Sequence, residues 1–172
     1  MSHVIRTDRP ADKLARYQEV ARDIAAVLDG EPNRVARMAT VASMLKDAFK
    51  AFFWVGFYVV DPQRQDELVV GPYQGTLGCL RIAFGRGVCG AAAATGEVQL
   101  VEDVHAFPGH IACDSRSNSE IVVPVYDEVG ALIAVLDVDS TEFAAFDETD
   151  AQQLAQILRS IFSEPASSER IH

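Results

Sequence analysis

The chain has 172 residues, of which 49% are hydrophobic and 23% charged, with a formal net charge of −10. These proportions are typical of a globular protein that buries its core in one domain. The negative balance argues against nucleic-acid partners, because phosphate binding needs a basic face. No segment approaches the roughly 20 apolar residues of a membrane span. The first residues also lack the apolar core of a signal peptide, so we expect a cytoplasmic protein.

Two amphipathic helices are predicted near the N-terminus. Over residues 10–28, apolar side chains recur at steps of three and four, which is typical of one buried helix face; they are Leu14, Tyr17, Ala21, Ile24 and Leu28. The same spacing follows in a second helix, with Val35, Met38, Ala42, Leu45 and Phe49.

The middle of the chain is predicted to form strands. Residues 53–60 are rich in aromatic and β-branched side chains, which favour strands. Shorter strands are predicted at 67–71, 80–84 and 98–101, and a small buried helix at 87–95. Two apolar strands, 120–126 and 131–139, are joined by a hairpin turn. Asp147 then caps a closing helix that buries Leu154, Ile157 and Ile161.

Helices at both ends and hairpins between them predict an α+β fold, with a central antiparallel sheet and the terminal helices packed on one face. We expect one domain spanning residues 1–172. Its core covers about 10–162, and a flexible polar tail covers 163–172.

The region from Cys79 to Glu120 is the candidate active site. It contains all three cysteines of the chain, Cys79, Cys89 and Cys113, among glycines and polar loop residues. An odd number of cysteines in a reducing compartment favours redox or metal chemistry over structural disulfides. Zinc is disfavoured because the spacing is wide and no close cysteine–histidine pair exists. His105 and His110 are interpreted as solvated loop histidines.

Residues 85–90 match G-x-G-x-x-G, but the dinucleotide-binding interpretation is weak without a βαβ unit around it. A tight turn that leaves backbone amides free at a helix start is the plainer interpretation, and such amides favour an anion such as a carboxylate.

Redox chemistry by a thiolate that is later captured by a second cysteine fits this region better. A helix start lowers the pKa of a thiol, so general physics slightly favours Cys89 as the attacking residue. Cys113 lies in a polar loop beside Asp114. Each cysteine has the alternative of being a small buried hydrophobic residue.

Three carboxylates accompany the cysteines. Asp137 and Asp139 lie on the same face of a strand, and the hairpin brings Glu120 near them. Crowded like charges raise each other's pKa, which creates a proton donor, and they could also bind a cationic amine. An exposed strand end is the alternative. Trp54 and Tyr58 share another strand face, as a pocket wall or as core packing.

These segments resemble the free methionine-(R)-sulfoxide reductases, a group of single GAF domains. The resemblance rests on GCLRIAFGRGVCGAAAATGE, HIACDSRSNSEIVVPVY and GALIAVLDVDS, and extends over about residues 15–160. It implies reduction of free methionine-(R)-sulfoxide through a cysteine sulfenic acid and an intramolecular disulfide, which thioredoxin or another dithiol reduces. It implies no cofactor or metal, and a homodimer.

The resemblance also implies roles for individual residues. Cys113 becomes the attacking cysteine, which overrules the preference for Cys89; Cys79 is the resolving cysteine and Cys89 an auxiliary thiol. Glu120 and Asp137 match the carboxylates that protonate or polarise the sulfoxide oxygen.

For the substrate, Asp139 matches the residue that binds its ammonium, and Trp54 and Tyr58 match the aromatic wall. Ala83 and Arg116 depart from the pattern, and Arg116 could alter the pKa of the Cys113 thiol or the closure of the loop. The rival hypothesis is a GAF module that binds a small ligand or senses oxidants without catalysis.

Overall fold

The computed structural model describes residues 11–111 and 113–164. Its α-helices are α1 (Lys13–Val27), α2 (Arg34–Ala48), α3 (Gly87–Thr95) and α4 (Glu148–Leu158). Its strands are β1 (Trp54–Asp61), β2 (Arg64–Gln74), β3 (Arg81–Ala83), β4 (Gln99–Val101), β5 (Ser119–Tyr126) and β6 (Leu132–Ser140). A 3₁₀ turn (Val104–Ala106) precedes β5, and a π-helical turn (Arg159–Ser163) extends α4.

The six strands form one sheet in the order β3-β2-β1-β6-β5-β4, with antiparallel neighbours throughout. The predicted α+β fold is therefore confirmed. The strands β1, β6 and β5 lie inside the sheet, so each is paired on both sides. This pairing gives them the rigidity that a functional site needs. No described helix has both the length and the apolar character that crossing a membrane requires.

One face of the sheet is covered by α1, α2 and α4. Because side chains alternate along a strand, this face takes one set of apolar residues from each central strand, including Phe57, Ile121 and Leu136. The predicted helix stripes pack against them, but their first members do not: Leu14 is 42% exposed and Val35 63% exposed. Each stripe therefore begins one turn later than predicted.

The opposite face carries α3 and the long loops. Here the alternate strand residues form a second core with the small residues of α3, including Val88, Cys89 and Ala92. The short alanine-rich helix predicted over 87–95 is confirmed. Its small side chains let the helix lie close to the sheet and leave room for a pocket at its N-terminal end.

Several boundaries differ from prediction, most of all those of β2, which extends to Gln74 rather than to residue 71. Strand β2 begins at Arg64 rather than at residue 67, because its polar residues still pair through backbone with the end of β1, where Asp61 faces Arg64. Ser163 was assigned to the flexible tail, yet its hydroxyl donates to the Tyr126 carbonyl at 2.8 Å. Residue 10 and the rest of the predicted tail, 165–172, lie outside the described residues.

Candidate active site

A pocket opens on the face that carries α3. Of the eight predicted site residues, seven line it, and the eighth, Cys79, is bonded to one of them. The seven that line the pocket are Trp54, Tyr58, Cys89, Cys113, Glu120, Asp137 and Asp139.

A disulfide joins Cys79 to Cys113 at the mouth of this pocket, with a Cα–Cα separation of 5.7 Å. Cys113 is exposed and Cys79 half-buried. The two cysteines come from separate loops, one after β2 and one before β5, so only the fold brings them together. A disulfide in this position is open to attack by an external thiol.

Cys89 is the free cysteine, and it is buried at the third position of α3. Burial raises the pKa of its thiol well above the ordinary value, and the nearby Asp137 and Glu120 carboxylates raise it further. The prediction that the helix start would lower this pKa is wrong. A short helix supplies only about half a charge at its N-terminus, which loses against complete burial beside two carboxylates.

The three predicted carboxylates come together on one sheet face. Glu120 pairs with Asp139 across β5 and β6, and Asp137 is two residues from Asp139. Glu120 and Asp137 are each only 5% exposed, and Asp139 is partly exposed to the pocket, so the alternative of an exposed strand end is wrong.

Burial raises the pKa of all three carboxyl groups well above the ordinary range. Neighbouring carboxylates raise the pKa further, as the sequence predicted, but their effect is smaller than that of burial. One oxygen of Asp137, Oδ1, is buried without a hydrogen-bond partner. Such an atom costs free energy unless a ligand or a proton donor satisfies it.

A thiol and two carboxylates also meet here as potential metal ligands. One ligand atom each from Cys89, Glu120 and Asp137 lies within 4.8 Å of the others. The Cys89 Sγ is 3.9 Å from Glu120 Oε1, in the geometry of a weak thiol hydrogen bond. The pKa of each of these three groups is raised, so a cation would have to compete with protons up to a higher pH than at ordinary ligands.

His110 belongs to the site, although the sequence suggested a solvated loop histidine. Its side chain is only 15% exposed, and Nε2 lies 3.7 Å from Glu120 Oε2. Burial lowers the pKa of the imidazole. A neutral imidazole beside a protonated carboxyl group can relay a proton into the pocket. In the sequence, only the position of His110 three residues before Cys113 indicated a place in the site. The spacing could not reveal its contact with Glu120.

The aromatic wall combines the two interpretations that the sequence left open. Trp54 stacks on Tyr58 with a centroid separation of 5.7 Å and on Tyr73 at 5.1 Å, and both predicted wall residues line the pocket. Burial, followed by the Asp137 charge, raises the pKa of Tyr58. The wall is thus both packed and able to contact a ligand.

The glycine-rich turn connects β3 to α3. Gly85 and Gly87 have φ angles of +80° and +58°, and a Cβ at Gly90 would collide with the Ala83 carbonyl oxygen. The glycines therefore serve a tight turn and a close helix–strand contact inside an antiparallel sheet, not a βαβ unit. Gly87 and Val88 line the pocket where the first-turn amides of α3 lack intrahelical acceptors.

A hydrogen bond between two side chains connects the cysteine loops, and a third side chain supports it from within the Cys113 loop. Thr76 Oγ1 donates to Asp114 Oδ2 at 2.8 Å, and Arg116 Nη2 donates to the same oxygen at 2.8 Å. Spacing in the sequence could not indicate the first contact, since Thr76 and Asp114 are 38 residues apart. The second contact lies within the Cys113 loop.

Known proteins match this chain over most of its length. The model of the GAF domain family matches residues 37–161. GAF domain-containing protein A of Dictyostelium discoideum is 49% identical over 147 residues, which are 86% of this chain and 90% of the relative. The free methionine-R-sulfoxide reductase of Escherichia coli (strain K12) is 44% identical over 147 residues, or 86% of this chain and 87% of that one.

A solved structure of free methionine-R-sulfoxide reductase from Neisseria meningitidis, in complex with its substrate, aligns with a TM-score of 0.87 and 49% identity. The alignment covers 93% of each chain. With a family match over residues 37–161 and these relatives, the chain belongs to the GAF domain family, in its group of free methionine-R-sulfoxide reductases.

Proposed function

We propose that this protein reduces free methionine-(R)-sulfoxide to methionine, with Cys113 as the attacking cysteine. The observation that carries the proposal is the Cys79–Cys113 disulfide at the mouth of a pocket that contains buried carboxyl groups. A disulfide alone would fit many thiol proteins. Together with proton donors, it matches the needs of a sulfoxide reduction, which converts two thiols to a disulfide and delivers two protons to the departing oxygen.

In the first step, the Cys113 thiolate attacks the sulfoxide sulfur. A sulfur–sulfur bond forms as a proton is delivered to the sulfoxide oxygen. The resulting hydroxyl then passes from the substrate sulfur to the Cys113 sulfur while the sulfur–sulfur bond breaks, so methionine leaves and Cys113 becomes a sulfenic acid. The raised pKa of Glu120 and Asp137 supports their role as the proton source, because both carry a proton at a pH where ordinary carboxylates do not. His110 can supply the next proton to Glu120.

In the second step, the Cys79 thiolate attacks the sulfenic sulfur of Cys113. The sulfur–oxygen bond breaks, the hydroxide takes up a proton and leaves as water, and the disulfide forms. A dithiol then reduces the disulfide by thiol exchange. The exposure of Cys113 favours a protein reductant such as thioredoxin.

Recognition of a free amino acid needs partners for both of its charges. Asp139, partly exposed in the pocket, is proposed to bind the ammonium group, and the first-turn amides of α3 the carboxylate. Trp54 and Tyr58 would contact the methyl and sulfoxide end. A peptide-bound sulfoxide has neither charge, so it would leave these buried polar groups unpaired at a cost of several kcal/mol.

The remaining features of the proposal come from the family resemblance. The protein would act as one GAF domain without a cofactor, as a homodimer in the cytoplasm. Neither membrane nor nucleic acid would be a partner.

The deciding experiment measures methionine released from each epimer of free methionine sulfoxide, with dithiothreitol as reductant. We expect release from the R epimer, none by Cys113→Ser, and one turnover by Cys79→Ser. If neither epimer yields methionine while the protein still binds methionine, the protein is a ligand-binding or oxidant-sensing GAF module instead.

A further inference from the structure

We propose that Thr76, Asp114 and Arg116 form a clasp that holds the Cys79 loop against the Cys113 loop, so that the disulfide closes faster than the sulfenic acid is lost. The three are positioning residues. The inference deepens the proposed function and rests on it, since it concerns the second step of that reaction.

The clasp joins two loops that no strand pairing connects. Thr76 lies three residues before Cys79, and Asp114 directly follows Cys113. Their hydrogen bond, at 2.8 Å between Thr76 Oγ1 and Asp114 Oδ2, thus links the same two loops that the disulfide links. It therefore restrains the same two loops that must approach each other when the cysteines are still separate.

Arg116 holds Asp114 from the other side. The backbone amide and Nε of Arg116 donate to Asp114 Oδ1 at 2.9 and 3.0 Å, and Nη2 donates to Oδ2. The guanidinium also lies over the Phe53 ring, 4.8 Å from its centroid, at the start of β1. Planar bidentate contacts of this kind fix the direction of a carboxylate, so Asp114 is aimed at Thr76 before any disulfide exists.

The Cys79 loop is fixed to the pocket at the same residue. Trp54 Nε1 donates to the Thr76 carbonyl at 2.8 Å, so Thr76 is held by its backbone to the aromatic wall and by its side chain to Asp114. Beyond it, Leu77 and Leu80 are 77% and 71% exposed and give the loop little packing of its own. Without the clasp, Cys79 would sample a wider volume.

Loop restraint affects the second step most. Closing the disulfide requires the Cys79 sulfur to meet the sulfenic sulfur of Cys113, and positioning two groups in this way raises their effective concentration. Attack of Cys113 on the substrate needs no movement of Cys79. A weakened clasp should therefore slow disulfide closure and leave the first methionine release intact.

The experiment mixes reduced protein with methionine-(R)-sulfoxide, without reductant, and follows two products in time. Methionine release reports the first step. Intact-mass measurement after quenching with dimedone separates the trapped sulfenic acid from the disulfide. The variants are Thr76→Val, which removes the hydroxyl, and Thr76→Ser, which keeps it. Thr95→Val is the matched control, because its hydroxyl bonds only to nearby backbone away from the cysteine loops: it donates to the Ala91 carbonyl and accepts from the Glu97 amide.

We expect Thr76→Val to slow disulfide closure about tenfold and to raise the dimedone adduct, as loss of one hydrogen bond to a charged group predicts. Methionine release should stay within about twofold of wild type. Thr76→Ser and Thr95→Val should behave as wild type. Arg116→Ala, at a position whose side chain is 60% exposed, should slow closure in the same direction.

Wild-type closure rates in both Thr76→Val and Arg116→Ala would overturn the clasp. So would a Thr76→Ser variant as slow as Thr76→Val, since the hydroxyl would then be irrelevant. If wild type releases no methionine, the proposed function fails, and hydrogen peroxide replaces the sulfoxide as the oxidant of Cys113. The same closure rates then still decide whether the clasp acts.

Discussion

Glu120 on β5 lies directly opposite Asp139 on β6, and the neighbouring pair on the same face sets Val122 opposite Asp137. An antiparallel register thus concentrates three carboxyl groups beneath a pocket whose other wall is aromatic. Backbone pairing holds them at fixed positions despite their mutual repulsion. Burial and this repulsion raise the pKa of Glu120 and Asp137, which suits them to donate a proton in a sulfoxide reduction.

The pH dependence of the chemical step should reveal these protons. The pKa of Glu120 and Asp137 is raised, so both groups keep their protons to a higher pH than ordinary carboxyl groups do and ionise as pH rises further. We expect single-turnover methionine release to fall on the alkaline side. Glu120→Gln should reduce the rate by about 100-fold or more, as for loss of a general acid, and should flatten that fall. An unchanged alkaline limb in Glu120→Gln would assign the proton to another group.

Asp137→Asn should stabilise the protein at high pH. A carboxyl group with a raised folded-state pKa favours folding most below its unfolded value near 3.8, and this stability is lost as pH rises towards the folded pKa. Removing the ionisable group removes the loss, so urea unfolding at pH 8 should give a gain of about 1 kcal/mol or more. At pH 4 variant and wild type should nearly coincide. A variant less stable than wild type at pH 8 would contradict the buried-charge interpretation.

Cys89→Ala tests whether the buried thiol takes part in resolution. Because Cys89 is buried and protonated while Cys79 is already bonded to Cys113, we expect turnover with dithiothreitol within about threefold of wild type. The mass of the oxidised variant should show a complete disulfide. Cys79→Ser is the comparison, and it should show none. A Cys89→Ala protein that stops after one turnover would make Cys89 a resolving cysteine.

Gly56→Ala should damage the pocket without touching a polar group. A Cβ at Gly56 would collide with the Tyr73 Cβ and would come within 2.5 Å of the Trp54 ring. The Trp54 indole must then leave its stacked position, which should raise KM about tenfold or more. Near-ultraviolet circular dichroism would report the displaced indole. Gly130→Ala, in the hairpin turn with nothing within 4 Å of the added Cβ, is a control for backbone strain alone.

Tyr17→Phe should lower stability and spare activity. The Tyr17 hydroxyl donates to Asp150 Oδ1 at 2.6 Å, and Lys13 Nζ donates to Oδ2 at 2.7 Å, so this cluster joins α1 to α4 on the sheet face away from the pocket. Losing one buried hydrogen bond should cost about 1–2 kcal/mol in urea unfolding. Methionine release should be unchanged. An equal loss of activity would mean that the terminal helices influence the pocket.

The sequence supplied most of the architecture, because its signals were local. Periods of three to four predicted α1, α2 and α4, and the aromatic and β-branched run at 53–60 predicted β1. The strands at 120–126 and 131–139 were recognisable as a hairpin, and period-two alternation correctly put Asp137 and Asp139 on one face. What local patterns missed was the polar start of β2, since backbone pairing there depends on the partner strand.

The candidate site was predicted in part by general physics and in part by resemblance. Residue chemistry identified the cysteines and carboxylates as a group but ranked Cys89 first, because the helix start was visible in the sequence and the burial was not. The roles proposed for Cys113 and Cys79 came from the resemblance. His110 beside Glu120, and Thr76 beside Asp114, could not be foreseen, since contacts between distant loops leave no periodic signal.

By itself, then, the sequence determined which elements form, which of their faces are apolar and which reactive side chains exist. Tertiary structure decided which of those side chains meet and what state they adopt. The reason is physical: helix and strand formation depend on residues a few positions apart, whereas a pKa or a disulfide depends on burial and on neighbours that only the closed fold supplies. Cys89 and Cys113 are both cysteines in one glycine-rich region, and the fold makes one a buried protonated thiol and the other half of a disulfide.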